Sequence, residues 1–142
     1  MRVLLKVSVN APCPCGSKKK YKKCCKIFHN GASAPTALLL MKSRFSAFAV
    51  GDATYIMKTT HNENQDYTTD TAAWKSSILE FCNSTVFKQL TIVETQEEKS
   101  ESYVTFKAIL LQHNHDASFI EKSRFLKEEG KWYYHSGVFI DE

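Results

Sequence analysis

Four of the five cysteines fall within thirteen residues, between Cys13 and Cys25. They form two close pairs, Cys13-Pro-Cys15 and Cys24-Cys25, which are separated by eight residues. A disulfide between the neighbours Cys24 and Cys25 is strained, and disulfides are rare in cytosolic proteins. Two thiolate pairs joined by a loop of this length suit a tetrahedral metal ion instead. The spacing therefore predicts a structural zinc site, since four thiolates leave no coordination position open for a substrate.

The residues between the two pairs favour the same site. Gly16 permits a tight turn after the first pair, and Ser17 is predicted to cap a short helical turn over residues 18–23. That turn is expected to deliver Cys24 and Cys25 together. The alternative is four metal-free cysteines with incidental spacing, which is disfavoured because so dense a thiol cluster is easily oxidised.

The charge of the chain is unevenly distributed. Residues 1–30 contain eight basic and no acidic side chains, whereas residues 31–142 contain 11 basic and 15 acidic ones. A basic head on a mildly acidic body indicates contact with an anionic surface such as nucleic acid, phospholipid or an acidic protein. The predicted contact surface comprises Lys18, Lys19, Lys20, Lys22 and Lys23.

Residues 12–25 resemble the SEC-C motif, the zinc knuckle at the C-terminal end of the SecA translocation ATPase. The cysteine spacing and the position of Tyr21 agree with that motif, while Lys18 stands where the motif usually has a glycine. The resemblance implies a role in docking to partner proteins. The sequence therefore divides into a predicted knuckle at residues 1–30 and a separate domain at residues 31–142.

Helix signals dominate the first half of the second domain. A linker with turn-forming residues covers positions 27–35, after which Thr36 is predicted as an N-cap and Gly51 as a C-cap. Asp52 is predicted to cap a short second helix, and a third helix is predicted over residues 71–83. The apolar face of the first of these helices comprises Leu38, Met41, Phe45 and Phe48.

Strand signals dominate the second half. Runs of β-branched and aromatic residues, separated by polar turns, occupy positions 86–95, 103–112, 118–127 and 131–140. Consecutive strands with short turns predict an antiparallel meander. Helices followed by a meander predict an α+β fold, in which the helices pack on one face of a curved four-stranded sheet.

Short motifs follow one another in a specific order along this domain, at residues 40–48, 51–52, 55, 60–61, 123–125 and 130–134. Together with the knuckle they resemble the YchJ-like family of bacterial proteins. Those proteins pair an N-terminal SEC-C motif with a domain of the nuclear transport factor two type. Where the family usually has Trp before the histidine and Pro after it, this chain has Thr60 and Asn62. The resemblance implies a cone formed by a bent sheet and helices, and it supplies no settled activity.

A cone of this type encloses a pocket. Four polar residues in the family-like motifs are expected to reach it, namely Arg44, Tyr55, His61 and Arg124. The alternatives are that His61 satisfies carbonyls at a helix end and that Arg124 forms a buried ion pair. The histidines and aspartate at positions 113–116 offer a second metal site, although such residues usually gather in solvated turns.

Three functional hypotheses follow. The first is a zinc-containing binding protein whose knuckle docks a macromolecular partner, and whose cone binds a ligand or a second copy of the chain through its sheet. The second is an enzyme with His61 and Arg124 in its pocket. The third is nucleic-acid binding by the lysine run, with Tyr21 and Phe28 available for stacking. No apolar run approaches the roughly 20 residues of a membrane span, and a cytoplasmic location is expected.

Overall fold

The helices come first along the chain and the strands follow, so the predicted α+β order is confirmed in a computed structural model. The structure describes residues 7–141, and Arg2 and Lys6 of the predicted basic head lie outside them. A 3₁₀ turn at Tyr21–Lys23 precedes α1 (Cys25–His29), α2 (Ala37–Val50), α3 (Ala53–Lys58) and α4 (Thr71–Ser84). The strands are β1 (Thr85–Gln96), β2 (Glu101–Gln112), β3 (His115–Asp116), β4 (Phe119–Glu128) and β5 (Lys131–Phe139).

Side-chain caps fix the helix starts. The hydroxyl of Thr36 accepts a hydrogen bond from the Leu39 N–H at 3.1 Å, and Asp52 accepts one from the Tyr55 N–H at 3.1 Å. Each cap satisfies an N–H that the helix itself leaves unpaired. Gly51 ends α2 with a φ of 85°, a left-handed conformation that glycine adopts without steric cost. The predicted limits of α2 are confirmed.

Antiparallel pairing orders the sheet as β1-β2-β4-β5, and the two-residue β3 pairs with the end of β2. The β1–β2 ladder contains two register shifts, after Phe87 and after Ile92. A third shift lies between Arg124 and Phe125 in the β4–β5 ladder. Bulges of this kind bend a strand and increase its twist, and they curve the sheet around the helices.

The polar residues at positions 113–116 form the turn between β2 and β3. His113 and Asn114 have φ values of 51° and 64°, the pair of positive values that a two-residue type I′ turn requires. Both are exposed, as are His115 and Asp116. The solvated-turn interpretation fits this geometry.

The apolar core lies between the helices and one face of the sheet. Side chains alternate along β2, so that every second residue from Val104 to Leu110 is buried against the helices. Their partners in the core cluster include Leu40, Met41 and Phe45 of α2 and Ile78 of α4. None of the helices in residues 7–141 combines the length and hydropathy that a transmembrane span requires.

The segment after α3 is tied to β5. The His61 N–H donates to the Tyr134 carbonyl at 2.8 Å, and the Tyr134 N–H donates to the Thr59 carbonyl at 2.9 Å. These two bonds extend the sheet by an isolated parallel bridge between Thr60 and Tyr134. The C-terminal end of α3 is thereby fixed beside the concave face of the sheet.

Candidate metal centre and cone cavity

The four clustered cysteines converge in space. Their Sγ atoms all lie within 4.8 Å of one another, and Cys15 Sγ lies 3.7 Å from Cys24 Sγ. A tetrahedron with Zn–S bonds of about 2.3 Å has S–S edges of about 3.8 Å, so the cluster has nearly the size that four-coordination requires. Cys24 is half-buried and the other three cysteines are buried. The donor set therefore fits a tetrahedral ion of a thiol-binding metal.

Backbone hydrogen bonds fold the loop between the two cysteine pairs. Gly16 has a φ of 86°, and its N–H donates to the Cys13 carbonyl at 3.1 Å. The Cys13 N–H donates to the Lys19 carbonyl at 2.8 Å, which turns the chain back on itself. The 3₁₀ turn then brings the second cysteine pair against the first.

The structure corrects the predicted role of Ser17. The helical turn begins at Tyr21, and its N-cap residue is Lys20, which makes no side-chain cap bond. Lys18 has a φ of 71°, and this left-handed conformation excludes a continuous right-handed turn at that position. The Ser17 hydroxyl accepts a hydrogen bond from the Lys19 N–H at 3.2 Å. It also lies 3.1 Å from the Sγ atom of Cys24. Ser17 therefore borders the thiol cluster.

The thiols control one another's ionisation. Hydrogen bonds from Cys15 and Cys25 hold the pKa of Cys13 well below its usual range. The same contacts with Cys13 raise the pKa values of Cys15 and Cys25, and burial raises them further. Four thiolates in this volume repel one another and are poorly solvated, so they require a compensating cation. A divalent metal ion provides that charge and binds the deprotonated thiolates.

The knuckle rests on α2. Cys13 Sγ lies 3.4 Å from the hydroxyl of Ser46, which is fully buried. Val50, at the end of α2, belongs to the same apolar cluster as Tyr21 and Cys25. The metal centre therefore shares its immediate surroundings with a helix of the second domain.

His29 joins the knuckle to α2, and sequence analysis did not single it out. Its Nδ1 accepts a hydrogen bond from the Tyr21 hydroxyl at 2.6 Å, and its Nε2 donates to the Ser43 carbonyl at 2.8 Å. Its ring lies 4.6 Å from the ring of Tyr55. Burial lowers the pKa of His29, which favours the neutral imidazole that these two bonds require. The only signal in the sequence was a histidine four residues after Cys25.

The predicted contact lysines form an exposed basic face. Lys18, Lys19, Lys20, Lys22 and Lys23 are all solvent-exposed. Within the part of the chain that the structure describes, the ion pairs involve other side chains. The structure corrects the expectation that Tyr21 is available for stacking, since it is only 1% exposed and bonds to His29. Phe28 is half-buried and packs against the apolar core.

A cavity of about 690 Å³ lies between the helices and the concave face of the sheet. Arg44 of α2 lines it, as sequence analysis predicted. Tyr55 does not line it, because its hydroxyl bonds to Ser43 at 2.7 Å on the opposite side of α2. The predicted pocket position of Tyr55 is therefore corrected.

Two further predicted pocket residues lie outside this cavity. His61 is buried where the loop after α3 meets the β4–β5 hairpin, and its Nε2 bonds to Glu128 at 2.7 Å. Arg124 lies between Ser123 and Phe125, which line the cavity, and alternation along β4 directs it to the opposite face. There it pairs with Glu101 at 2.9 Å in a half-exposed ion pair. The expected ion pair is present, although it is not buried.

The structure groups His61 with Glu63 and His135, a set that sequence analysis did not predict. Their ligand atoms lie within 4.8 Å of one another, and His135 Nε2 lies 3.0 Å from a Glu63 oxygen. However, His61 Nδ1 accepts a hydrogen bond from the Glu63 N–H at 3.0 Å, and its Nε2 is hydrogen-bonded to Glu128. Both ring nitrogens of His61 are therefore engaged in joining the loop to the hairpin.

Comparison with protein families decides the relationship of the chain. The family described as "YchJ, middle NTF2-like domain" matches residues 36–137, and the SEC-C motif matches residues 10–26. The chain belongs to the YchJ family. A UPF0225 protein of Enterobacter sp. strain 638 is 38% identical over 129 residues, which cover 89% of this chain and 82% of that protein.

Solved structures of similar proteins support the same architecture for this YchJ family member. A SEC-C motif protein of Rhodopseudomonas palustris is 30% identical and superposes with a TM-score of 0.79, covering 92% of this chain and 100% of that one. A SEC-C motif protein of Psychrobacter arcticus is 25% identical with a TM-score of 0.77, covering 94% and 85% respectively. The resemblance to the YchJ-like family and its NTF2-like fold is confirmed.

Proposed function

We propose that the four-cysteine cluster binds one zinc ion as a structural site. The convergence of the four Sγ atoms carries this proposal. All-thiolate coordination favours zinc over hard cations such as magnesium or calcium, and it occupies all four positions of the tetrahedron. The chemistry of this metal centre is therefore structural rather than catalytic.

Metal analysis of the full chain tests the zinc site. Protein purified without chelator is expected to contain about one zinc per chain, and Cys25→Ser is expected to lose it. Cys82→Ala is the matched control, since Cys82 is buried in the main core and not in the knuckle. A preparation that contains iron in place of zinc, or equal zinc in both variants, contradicts the proposal.

Docking of an acidic macromolecular partner is proposed as the role of the knuckle. The zinc site fixes the loop that carries the five exposed lysines, and no carboxylate of residues 7–141 forms an ion pair with them. A positive face of this kind steers and orients an anionic partner. The SEC-C motif at residues 10–26 supports a docking role, as the sequence resemblance implied.

An acidic protein surface fits this face better than a nucleic acid does. The lysine run contains no arginine, the side chain that pairs with phosphate in a bidentate manner. Tyr21, the aromatic ring within the run, is buried and unavailable to stack on bases. Lysine point charges that lack an adjacent aromatic platform match scattered carboxylates on a protein.

Carbodiimide coupling, which joins lysines to contacting carboxylates, tests docking directly. The full chain is expected to give cross-links that map to residues 18–23 and weaken as salt rises. In a variant with Lys18, Lys19, Lys22 and Lys23 changed to Gln, the cross-links of the retained Lys20 are expected to disappear as well, because docking itself is weakened. The matched control changes the exposed body lysines to Gln at Lys75, Lys88, Lys99 and Lys131.

The two lysine variants carry the same net charge, so a difference between them reports the location of the charge. Equal loss of cross-links in both variants contradicts docking by the knuckle, because it shows a non-specific charge effect. Cross-links that are lost when the sample is treated with nuclease before coupling assign the face to nucleic acid instead. His61 and Arg124, the residues of the alternative enzyme hypothesis, do not line the cavity, although His61 does have an acidic partner in Glu128 at 2.7 Å.

A further inference from the structure

The cavity between α2, α4 and the sheet has the size of a small-molecule site. Its volume of about 690 Å³ falls within the range of roughly 300–1,000 Å³ that is typical of ligand pockets. Most of its wall is apolar. Aromatic side chains come from both the helices and the sheet, including Phe45, Phe48, Phe81, Phe87 and Phe106.

Arg44 places a positive charge in this apolar wall. The residue is only 9% exposed, and its guanidinium carbon lies 4.7 Å from the ring centre of Tyr134. Nη1 donates to the Ile56 carbonyl at 3.1 Å and to the hydroxyls of Thr59 and Thr60 at 2.8 and 3.1 Å. These neutral acceptors fix the orientation of the side chain without neutralising it.

The remaining donors of Arg44 have no protein partner in residues 7–141. All of its hydrogen bonds to the described residues come from Nη1, and none of the ion pairs includes it. Burying a guanidinium without a carboxylate is costly. Nε and Nη2 are therefore available to a ligand, and a ligand anion would offset that cost.

Burial lowers the pKa of Arg44 and the charge of Glu121, on the cavity wall, partly opposes that shift, but the Glu121 carboxylate is hydrogen-bonded to other side chains. The Glu121 Oε2 accepts hydrogen bonds from Ser123 at 2.5 Å and from Tyr134 at 2.9 Å. Glu121 also packs so closely against Gly137 that any side chain at that position would collide with its carboxylate. These contacts hold the carboxylate on β4, and no ion pair within residues 7–141 joins it to the guanidinium. Asp66, the other carboxylate on the wall, is exposed at the surface.

We propose that the cavity binds an apolar monocarboxylate, with its hydrocarbon part among the aromatic side chains and its carboxylate on Arg44. The buried positive charge of Arg44 favours a carboxylate at one end of the ligand, and the apolar wall favours a hydrocarbon chain for the rest of it. The site lies on the face of α2 opposite the knuckle, since Ser46 and Val50 face the thiol cluster. The proposal is therefore independent of partner docking.

Titration calorimetry of the full chain with three ten-carbon probes tests the head group. Decanoate, decanol and decylamine share one chain length and differ only in charge, and all are used below the concentration at which they aggregate. Decanoate is expected to bind at least about tenfold more tightly than decanol, because a charge-assisted contact replaces a neutral one. Decylamine is expected to bind no more tightly than decanol.

Variants locate the binding. Arg44→Gln is expected to weaken decanoate binding about tenfold or more and to leave decanol binding unchanged. Arg124→Gln is the matched control, since Arg124 lies outside the cavity, and it is expected to change neither affinity. Glu121→Gln is expected to tighten decanoate binding, because it removes a like charge from the wall.

A blocking variant protects the test against misfolding of Arg44→Gln. Ser77 lines the cavity from α4 and is exposed, so Ser77→Trp is expected to weaken binding of every probe without touching Arg44. Equal affinities for decanoate and decanol overturn the proposal. So do tighter binding of decylamine, unchanged binding in Ser77→Trp, or no detectable binding of any probe at about millimolar concentration.

Discussion

His29 illustrates how a single side chain can unite two parts of a chain. It accepts a hydrogen bond from the knuckle residue Tyr21 and donates one to the carbonyl of Ser43 on α2. Sequence alone could not identify this role, because it depends on the angle at which α1 meets α2. The convergence of the four clustered cysteines, in contrast, was predictable from spacing, since all four lie close together in the chain.

Replacing His29 is expected to destabilise the protein. His29→Gln cannot reach both partners, and a buried group left without its hydrogen bond costs about 1–3 kcal/mol in the free energy of unfolding. Urea unfolding followed by circular dichroism measures the loss. Tyr103→Phe provides the control, because Tyr103 bonds to Glu101 in a half-exposed position. A loss in Tyr103→Phe that equals the loss in His29→Gln contradicts the assigned role.

The same histidine predicts a pH dependence. Burial lowers the pKa of His29 in the folded state, whereas the unfolded chain takes up the proton near pH 6.5. The unfolded state therefore binds more protons below that pH, so the contribution of His29 to stability is complete above about pH 6.5 and declines as the pH falls. The charged groups that act on His29, namely Asp52, Lys26 and Cys13, are unchanged in His29→Gln. The free energy of unfolding is therefore measured against pH for the unmodified chain and for His29→Gln, and the difference between the two pH profiles isolates the effect of His29.

Lys18 carries a local conformational cost. Its φ of 71° lies in the left-handed region, which costs about 1–2 kcal/mol for residues other than glycine. Lys18→Gly is expected to stabilise the chain by a net amount of about 0.5–1 kcal/mol, since glycine also loses more entropy on folding. Lys19→Gly, one position later, is expected to be destabilising. Thermal unfolding of both variants checks the sign, and stabilisation by Lys19→Gly alone would exclude this explanation.

At the scale of elements, the limits of α2 were predicted correctly, whereas α1 was missed, because residues 27–29 were interpreted as part of a linker and lie in the helix Cys25–His29. Thr36 and Gly51 enclose α2 because capping is decided by two or three neighbouring residues. The same reasoning fails at Ser17, where the left-handed Lys18 displaces the turn to Tyr21. Capping residues predict a helix end correctly where hydrogen bonds between neighbouring residues decide it. They fail beside the thiol cluster, where the left-handed residue Lys18 redirects the backbone.

Removing the cap of α2 tests how much it contributes. Thr36→Ala leaves the Leu39 N–H without its side-chain acceptor and is expected to lower the free energy of unfolding by about 1 kcal/mol. Thr54→Ala is the control, because Thr54 is exposed inside α3 and alanine favours a helix interior. Chemical denaturation measures both, and a loss in Thr54→Ala as large as that in Thr36→Ala argues against the cap.

At the scale of the whole molecule, the predictions were weaker for the cavity than for the metal centre. Arg44 lines the cavity and Arg124 does not, although both belong to motifs of the same family resemblance. The face on which a strand residue lies depends on its register, and β4 pairs with β5 through a bulge at Arg124 and Phe125. A one-residue change of register exchanges the two faces of a strand, and sequence alone does not fix that register.

Loss of the proposed zinc ion is expected to destabilise the whole chain. The knuckle packs on Ser46 and Val50 of α2, and metal binding contributes to folding free energy. Cys25→Ser is therefore expected to lower the thermal midpoint of the body as well as the zinc content. Cys82→Ala, the matched core variant, is expected to lower the midpoint while retaining zinc. An unchanged midpoint in Cys25→Ser indicates that the two parts fold independently.

The positions of the two tryptophans give the molecule a built-in optical signal. Trp74 lines the cavity and its ring lies 5.4 Å from that of Tyr67. Trp132 is buried outside the cavity lining, and its indole N–H has no hydrogen-bond partner in the described residues. Emission from Trp74 is therefore expected to respond to whatever enters or leaves this space, and emission from Trp132 is expected to change less. Filling of the cavity can be followed by intrinsic fluorescence, without a dye and in unmodified protein.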